Sequence, residues 1–364
     1  MAAKADEVAS DVAIRRVALY PSHNSSTIAR FATYASFALT ASIWGPGWFN
    51  NTEALWVANS PPSLGLPTWL IRSRHRPRVV LHILDLWPES LVASGFGGPI
   101  LRSRAFEWAI DRWLSMTYKV ADSIACTTRK QVELLAQRGV PSDTLSYVPI
   151  WVDEAVFHPG DHDDALAHEL GLTGKTVLLY AGAIGEAQGL DTLVEACEQL
   201  RDEPDFHCLI AGAGIAEARL RARATDHGLT NVTFVGPWPS HDMTRLMSIG
   251  DIHLVSLRPD TIAEIAMPSK VPATLACGKP LIVAARGEVE AVVTRFGAGW
   301  TCAPGSASEL EKTIRTALAV GECTLREMGR KARDAYEAEF AVNVGVGRVE
   351  QLLAGGKVTR SHVD

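Results

Sequence analysis

The sequence has no CxxC pair, no long apolar run and no excess of positive charge, and each absence narrows what the chain can be. Its six cysteines, at 126, 197, 208, 277, 302 and 323, are scattered, so neither a zinc-type spacing nor a disulfide framework is indicated. No apolar stretch reaches the roughly 18 residues of a membrane span. The start, MAAKADEVASD, is acidic where a secretory signal would be basic. A reducing, cytoplasmic setting is the expectation. The formal net charge of −6 lacks the basic footprint of a dedicated nucleic-acid binder. GxGxxG spacing is missing as well: GAIGEAQG and GAGIAEAR both break it, which leaves a nicotinamide-dependent dehydrogenase little support. Internal repeats and low-complexity tracts are absent.

Charge is unevenly distributed. Through His158 there are 15 Lys and Arg against 13 Asp and Glu, and beyond it 20 against 28. The front half is therefore the better candidate for meeting anionic partners.

A length of 364 residues exceeds one hydrophobic core, so two domains are expected. Residues 1–11 read as a loose tail. RRVALY reads as a strand, PSHNSST as its capping exit, and IARFATYASFALTASI as an apolar helix that either lies in a core or rests on a membrane. ALWVAN, RVVLHILD and SIACTT are further strands, each followed by helical material. After the polar stretch HPGDHDD, strands TVLLYAG, HCLIAGAG, VTFVG, IHLVSL and KPLIVAA alternate with helices. Short apolar strands returning through helices build parallel sheets. The reading is α/β: two Rossmann-like domains, 1–158 and 159–339, with parallel sheets facing a central cleft and a terminal helix at about 340–357 packing back on the first. Ligands in such sheets gather beyond the carboxyl ends of the strands.

YAGAIGEAQGLDTL, 180–193, has the layout of an anion-holding loop, a strand running into a glycine-studded turn and then a helix. Yet no Lys or Arg lies between Lys175 and Arg201. Small residues at Gly182, Ala183 and Gly185 let the backbone approach a ligand, and a helix from about 189 would offer free N–H groups.

The order of these phrases resembles a retaining glycosyltransferase of the GT-B fold, in glycosyltransferase family 4. VADSIACTTRKQVELLAQRGVPSDTLSYVPIWVDEAVFHP resembles that family's end-of-first-domain signature, and YAGAIGEAQGLDTLVEA, LIAGAG, VTFVGPW, GDIHLVSL and PSKVPATLACGKPLIVA follow in family order. The likeness covers roughly residues 115–320. Within the family the chain is similar to enzymes of bacterial surface-polysaccharide assembly, through DLWPE at 85–89 and GAIGEAQGL at 182–190. The resemblance implies transfer of a hexosyl or N-acetylhexosaminyl group from a nucleotide diphosphate sugar, with UDP as the expected nucleotide, to a hydroxyl acceptor. The nucleotide sugar is a co-substrate, and neither another cofactor nor a metal is implied. Several family positions differ: the cationic clamp would fall near Ala183 and at Gln188, paired glutamates at Ile265 and Ala273, and an asparagine at Ile150 beside Trp151. These departures keep open a non-catalytic GT-B subunit that stabilises or regulates a partner transferase.

On this reading Gly182, Ala183, Gly185, Gln188, Gly212, Trp238, Ser269, Lys270 and Glu288 meet the donor, and Lys270, Glu288 and Asp85 serve catalysis. Lys270 in MPSK is the candidate cation. A lysine in the first turn of a helix opposes the helix dipole, which a neighbouring anion would explain; a solvated surface lysine is the alternative. Glu288 follows the strand KPLIVAA and either meets the donor or compensates a helix start. Trp238 borders the base or packs as a loop aromatic. Asp85 and Trp87, with His23 and Asn24, are the acceptor-side residues; Asp85 orients a hydroxyl, stabilises developing positive charge, or caps a short helix. Arg129 reaches phosphate or opens a helix in solvent. IRSRHRPR at 71–78 and the aromatic loop WGPGWF at 44–49 point to a membrane surface or a phospholipid-linked acceptor, with a solvated loop as the alternative.

Overall fold

The structure, a computed structural model, describes residues 7–9, 12–21, 27–89 and 104–358. The chain divides into two compact units, Met1–Val148 with Arg348–Asp364, and Pro149–Gly347.

The first unit opens with a small antiparallel pair, β1 (Glu7–Ala9) and β2 (Val12–Ile14). RRVALY is not a strand. Residues 15–20 run irregularly along helix α1 (Thr27–Trp48), where Thr40 Oγ1 donates to Ala18 O at 2.7 Å and Tyr20 N to Ser36 Oγ at 2.9 Å. WGPGWF is likewise no loop, since α1 continues through Pro46 to Trp48. Next come β3 (Ala54–Ala58), α2 (Gly65–His75), β4 (Arg78–Ile83), α3 (Arg104–Val120), β5 (Ser123–Cys126), α4 (Arg129–Gln137) and β6 (Leu145–Tyr147). The basic run 71–78 ends α2, turns at a left-handed Arg76 (φ 52°) and enters β4. Strands β3-β4-β5-β6 pair in chain order, all parallel.

The second unit contains α5 (Asp164–Glu169), β7 (Thr176–Ala181), α6 (Asp191–Gln199), β8 (Phe206–Ala211), α7 (Glu217–Asp226), β9 (Val232–Gly236), α8 (Met243–Ile249), β10 (Ile252–Ser256), α9 (Thr261–Ile265), α10 (Lys270–Ala276), β11 (Leu281–Ala284), α11 (Glu288–Phe296), β12 (Gly299–Cys302), α12 (Ala307–Ala319) and α13 (Glu322–Ala335). A π-helical turn, Tyr336–Phe340, leads to α14 (Val342–Leu353). The parallel sheet runs β12-β11-β10-β7-β8-β9. Its strands are buried on both faces: Val177 and Leu179 of β7 enter one core, Leu178 and Tyr180 the other. That explains why they read as continuous apolar runs rather than alternating ones.

The end of α14 belongs to the first unit, where Leu352 packs with Val80, Ala125 and Val148 and its carbonyl accepts from Arg78 Nε at 2.6 Å.

Candidate functional site

In the second sheet the strand order reverses direction between β7 and β10, which are neighbours although β8 and β9 lie between them in sequence. Helices on either side of such a switch point diverge, opening a crevice beyond the strand ends. A cavity of about 410 Å³ lies there, within the usual range for small-molecule sites. Leu179, Gly182 and Ala183 at β7, Leu254 of β10, and Ser269 and Lys270 at the start of α10 line it. Val152, Phe157, Met243 and Met247 supply an apolar wall.

Lys270 is the charged residue of this lining, and no carboxylate accompanies it. Its Nζ lies 2.8 Å from Tyr180 Oη and 4.0 Å from the centre of the Tyr180 ring. It forms no ion pair with any described residue. Burial disfavours the charged form and pushes its pKa down from 10.5 to about 8. A half-buried ammonium held by a neutral phenol, with no carboxylate in the cavity lining, is able to countercharge an anion.

Tyr180 is fully buried and links two parts of the site, because its hydroxyl also donates to Ala183 O at 2.6 Å. Burial raises its pKa, so it remains a neutral donor. The sequence marks Tyr180 only as an apolar strand residue; nothing in its spacing signals the hydroxyl's two partners.

The glycine turn is built differently from the sequence expectation. Gly182 has a φ of +149°, which side chains rarely adopt, and a β-carbon there would lie 3.3 Å from Lys270 Nζ. Its own N–H, however, donates to Ala211 O at 2.9 Å, and that of Ile184 to Ala213 O at 2.9 Å. Gly185 N donates to Gln188 Oε1 at 3.0 Å. The Gly185 amide is therefore committed to closing the turn, not left for a ligand. Ala183 N has no partner among the described residues, and Gln188, which lines the cavity, keeps its Nε2. The helix after the turn starts at Asp191, behind a 3-10 turn at Glu186–Gln188. Gly212 (φ +143°) lies beneath this turn: a β-carbon on it would come 1.8 Å from Gly182 O. It supports the site through backbone contact and is not among the cavity's lining residues.

Glu288 begins α11 and is buried, with 6% exposure; it too lies outside the cavity lining. Trp238 spends its indole N–H on Asp242 O at 3.0 Å and packs against the core. Met243 on the following helix lines the cavity in its stead. Ile265 is buried and Ala273 lines the cavity, so the positions of the family's paired glutamates are apolar. His253 in the lining hydrogen-bonds Thr274 Oγ1 and Met247 O at 3.2 Å each. Burial lowers its pKa to about 3, making it a satisfied neutral core residue.

In the first unit the strand ends collect polar groups. Asp85 is exposed two residues past β4 and accepts from Ser60 Oγ, just past β3. Asn59 is 2% exposed, yet its Oδ1 has no hydrogen-bond partner among the described residues, and neither has the buried Nε1 of Trp87. Arg129 opens α4 with its guanidinium 4.7 Å from the centre of the Tyr147 ring. Sequence reading missed Asn59 and Ser60 because single polar residues after a strand resemble ordinary turn chemistry. His23 and Asn24 lie outside the described residues.

Comparison with known proteins agrees with this architecture. The family profile "Glycosyl transferase 4-like domain" matches residues 2–151 and "Glycosyl transferases group 1" matches 163–335. A provisionally named colanic acid biosynthesis glycosyl transferase of Escherichia coli, WcaI, is 33% identical over 58% of this chain and 52% of its own length. D-inositol 3-phosphate glycosyltransferase of Segniliparus rotundus is 28% identical over 61% of this chain and 50% of its own. The chain thus spans about half the length of these two relatives. Among solved structures, Anabaena Alr3699/HepE, crystallised with UDP, shares 18% identity and superposes with a TM-score of 0.68 over 91% of this chain and 85% of its own. Two domains with parallel sheets, two consecutive profile matches and these neighbours together place the chain in the GT-B glycosyltransferases, with a family 4-like first domain and a group 1 second domain.

Proposed function

We propose that the protein is a retaining glycosyltransferase that takes a hexosyl or N-acetylhexosaminyl group from a UDP-linked donor and passes it to a hydroxyl acceptor. The observation that carries the proposal is the half-buried Lys270 ammonium at the strand-order reversal, beneath a glycine turn and without a carboxylate beside it. Burying a cation is unfavourable unless an opposite charge arrives, and a diphosphate supplies that charge. Crystallisation of HepE with UDP supports the choice of nucleotide.

In the proposed reaction the C1–O bond to the diphosphate breaks and its electron pair leaves with the phosphate. The acceptor oxygen bonds C1 on the same face, and the acceptor's proton passes to the departing phosphate. Negative charge grows on the leaving group, so Lys270, the Ala183 amide and Gln188 Nε2 act there, where a dry site strengthens each contact. In this reading Lys270 supplies the countercharge that a metal provides in other transferases. The unpartnered Asn59 Oδ1 and Trp87 Nε1, with the Ser60–Asp85 pair, suit a hydroxyl-rich acceptor. A purely structural subunit would have no use for the uncompensated ammonium.

Calorimetric titration with UDP tests this reading. Below about pH 8 the free lysine is charged and affinity is full; above it the free protein must take up a proton to bind. Affinity should then fall by roughly tenfold per pH unit until the pKa of the bound lysine is reached. Failure to bind UDP-, GDP- and dTDP-sugars alike would overturn the proposal.

Tyr180→Phe keeps the ring beneath Lys270 but leaves Ala183 O without its donor and Nζ without its acceptor. A loss of about 1–2 kcal/mol in urea unfolding is expected. UDP affinity should drop roughly tenfold, with its alkaline decline starting at lower pH because the ammonium has lost a stabilising contact. An unchanged pH profile would show the hydroxyl to be structural only.

A further inference from the structure

We propose that the outward face of α1, with the exposed end of α2, docks on an anionic lipid bilayer surface. This concerns the first unit and does not depend on the donor site.

Among the described side chains of α1, Ala32, Ala35, Leu39, Ile43 and Gly47 are exposed at a three-to-four residue spacing that makes one stripe. No side chain on that stripe is charged or can hydrogen-bond. Leu39 and Ile43 are 57% and 71% exposed, and Trp44 beside them 50%. The opposite face, with Ala38 and Gly45, is buried, Gly45 closely enough that a β-carbon would meet Ile71 Cδ1 of α2 at 3.4 Å. Thus α1 already has its core contact and presents a second apolar face to solvent. Soluble monomers rarely leave such contiguous apolar surface uncovered.

Charge identifies the occupant. From Val12 to Leu84 the chain carries seven arginines and one acidic residue, Glu53. Arg74 and Arg76 are exposed at the end of α2, beyond the exposed Trp69, and neither is in an ion pair with a described residue. Alongside α1, the segment 15–20 adds exposed Leu19 and Tyr20, and Arg15 lies 5.6 Å from the centre of the Trp48 ring. An apolar stripe bordered by Trp, Tyr and Arg, in a stretch where arginine outnumbers acid seven to one although Glu7 of β1 pairs opposite Ile14, matches a helix lying in the headgroup plane. At 22 residues α1 is about 33 Å long, yet no described helix is long and apolar enough to cross a membrane. A protein partner would ordinarily demand some hydrogen-bonding groups on the stripe for specificity.

The test is co-sedimentation of the full chain with phosphatidylcholine vesicles, with and without phosphatidylglycerol. Binding is expected only with phosphatidylglycerol. It should fall at least tenfold between about 0.1 M and 1 M salt, where the screening length shrinks from roughly 10 to 3 Å. Ile43→Asp, and Arg74→Glu with Arg76→Glu, should each lower partitioning about tenfold while retaining the parent's melting temperature. No sedimentation with phosphatidylglycerol at low salt would overturn the proposal, as would binding unchanged in both variants. So would a dimer by light scattering that Ile43→Asp dissociates without lipid binding, since the stripe would then face a second copy.

Discussion

Lys270→Ala is expected to lower kcat for donor turnover by about a hundredfold or more, roughly 3 kcal/mol of leaving-group stabilisation, while leaving the protein at least as stable as its parent. Both halves follow from one fact. The ammonium is half-buried against a phenol with no counter-charge among the described residues, so its folded form costs desolvation that no described ion pair returns. Removing it relieves that cost, and Tyr180 keeps its bond to Ala183 O. The pH dependence has a definite sign. The folded pKa, about 8, lies below the ordinary 10.5, so below pH 8 the lysine is charged in both states and its burial penalty counts in full against folding. From pH 8 to 10.5 the folded lysine is neutral while the unfolded one is still charged, and the penalty is progressively relieved. Parent and variant should therefore converge in stability across that window. Equal turnover in the variant, or clear destabilisation at neutral pH, would assign Lys270 a structural role.

Gly212→Ala should produce the opposite signature, losing fold and binding together. Its β-carbon would lie 1.8 Å from Gly182 O, at a φ of +143° that side chains rarely adopt. Backbone lies on the other side, so no rotamer change relieves the overlap; β7 and β8 must separate where Gly182 N donates to Ala211 O. A loss of about 4 kcal/mol or more is expected, in the range reserved for backbone clashes and broken cores, read as the shift of the urea midpoint at constant slope. The surviving folded fraction should bind UDP weakly, because displacement of Gly182 moves the surface on which Lys270 rests. A midpoint near that of the parent would show that the two glycine turns can slide apart cheaply. Comparing the two variants separates loss of the cation from loss of the cradle.

The glycine turn shows how far sequence reading reached. Small residues between a strand and a helix, and the lysine of MPSK singled out as an ill-placed charge, are expectations from sequence that the fold brings to one cavity at Gly182, Ala183 and Lys270. Which amides stay free was not legible, because Gly185 and Ile184 are satisfied by Gln188 Oε1 and Ala213 O, partners that depend on loop closure. RRVALY misled for a related reason: an apolar run records a preference for burial, but pairing needs a neighbouring edge, and residues 15–20 found α1 instead.

What the sequence determined by itself was the alternation of buried strands and helices, hence two parallel α/β units, because apolar periodicity reports local burial directly. Only the tertiary structure decided that β7 lies beside β10, that Tyr180 joins Lys270 to the turn, and that α1 keeps an apolar face outward. Each is a contact between residues distant in sequence, and the free energy of such a contact depends on geometry that a linear pattern does not carry.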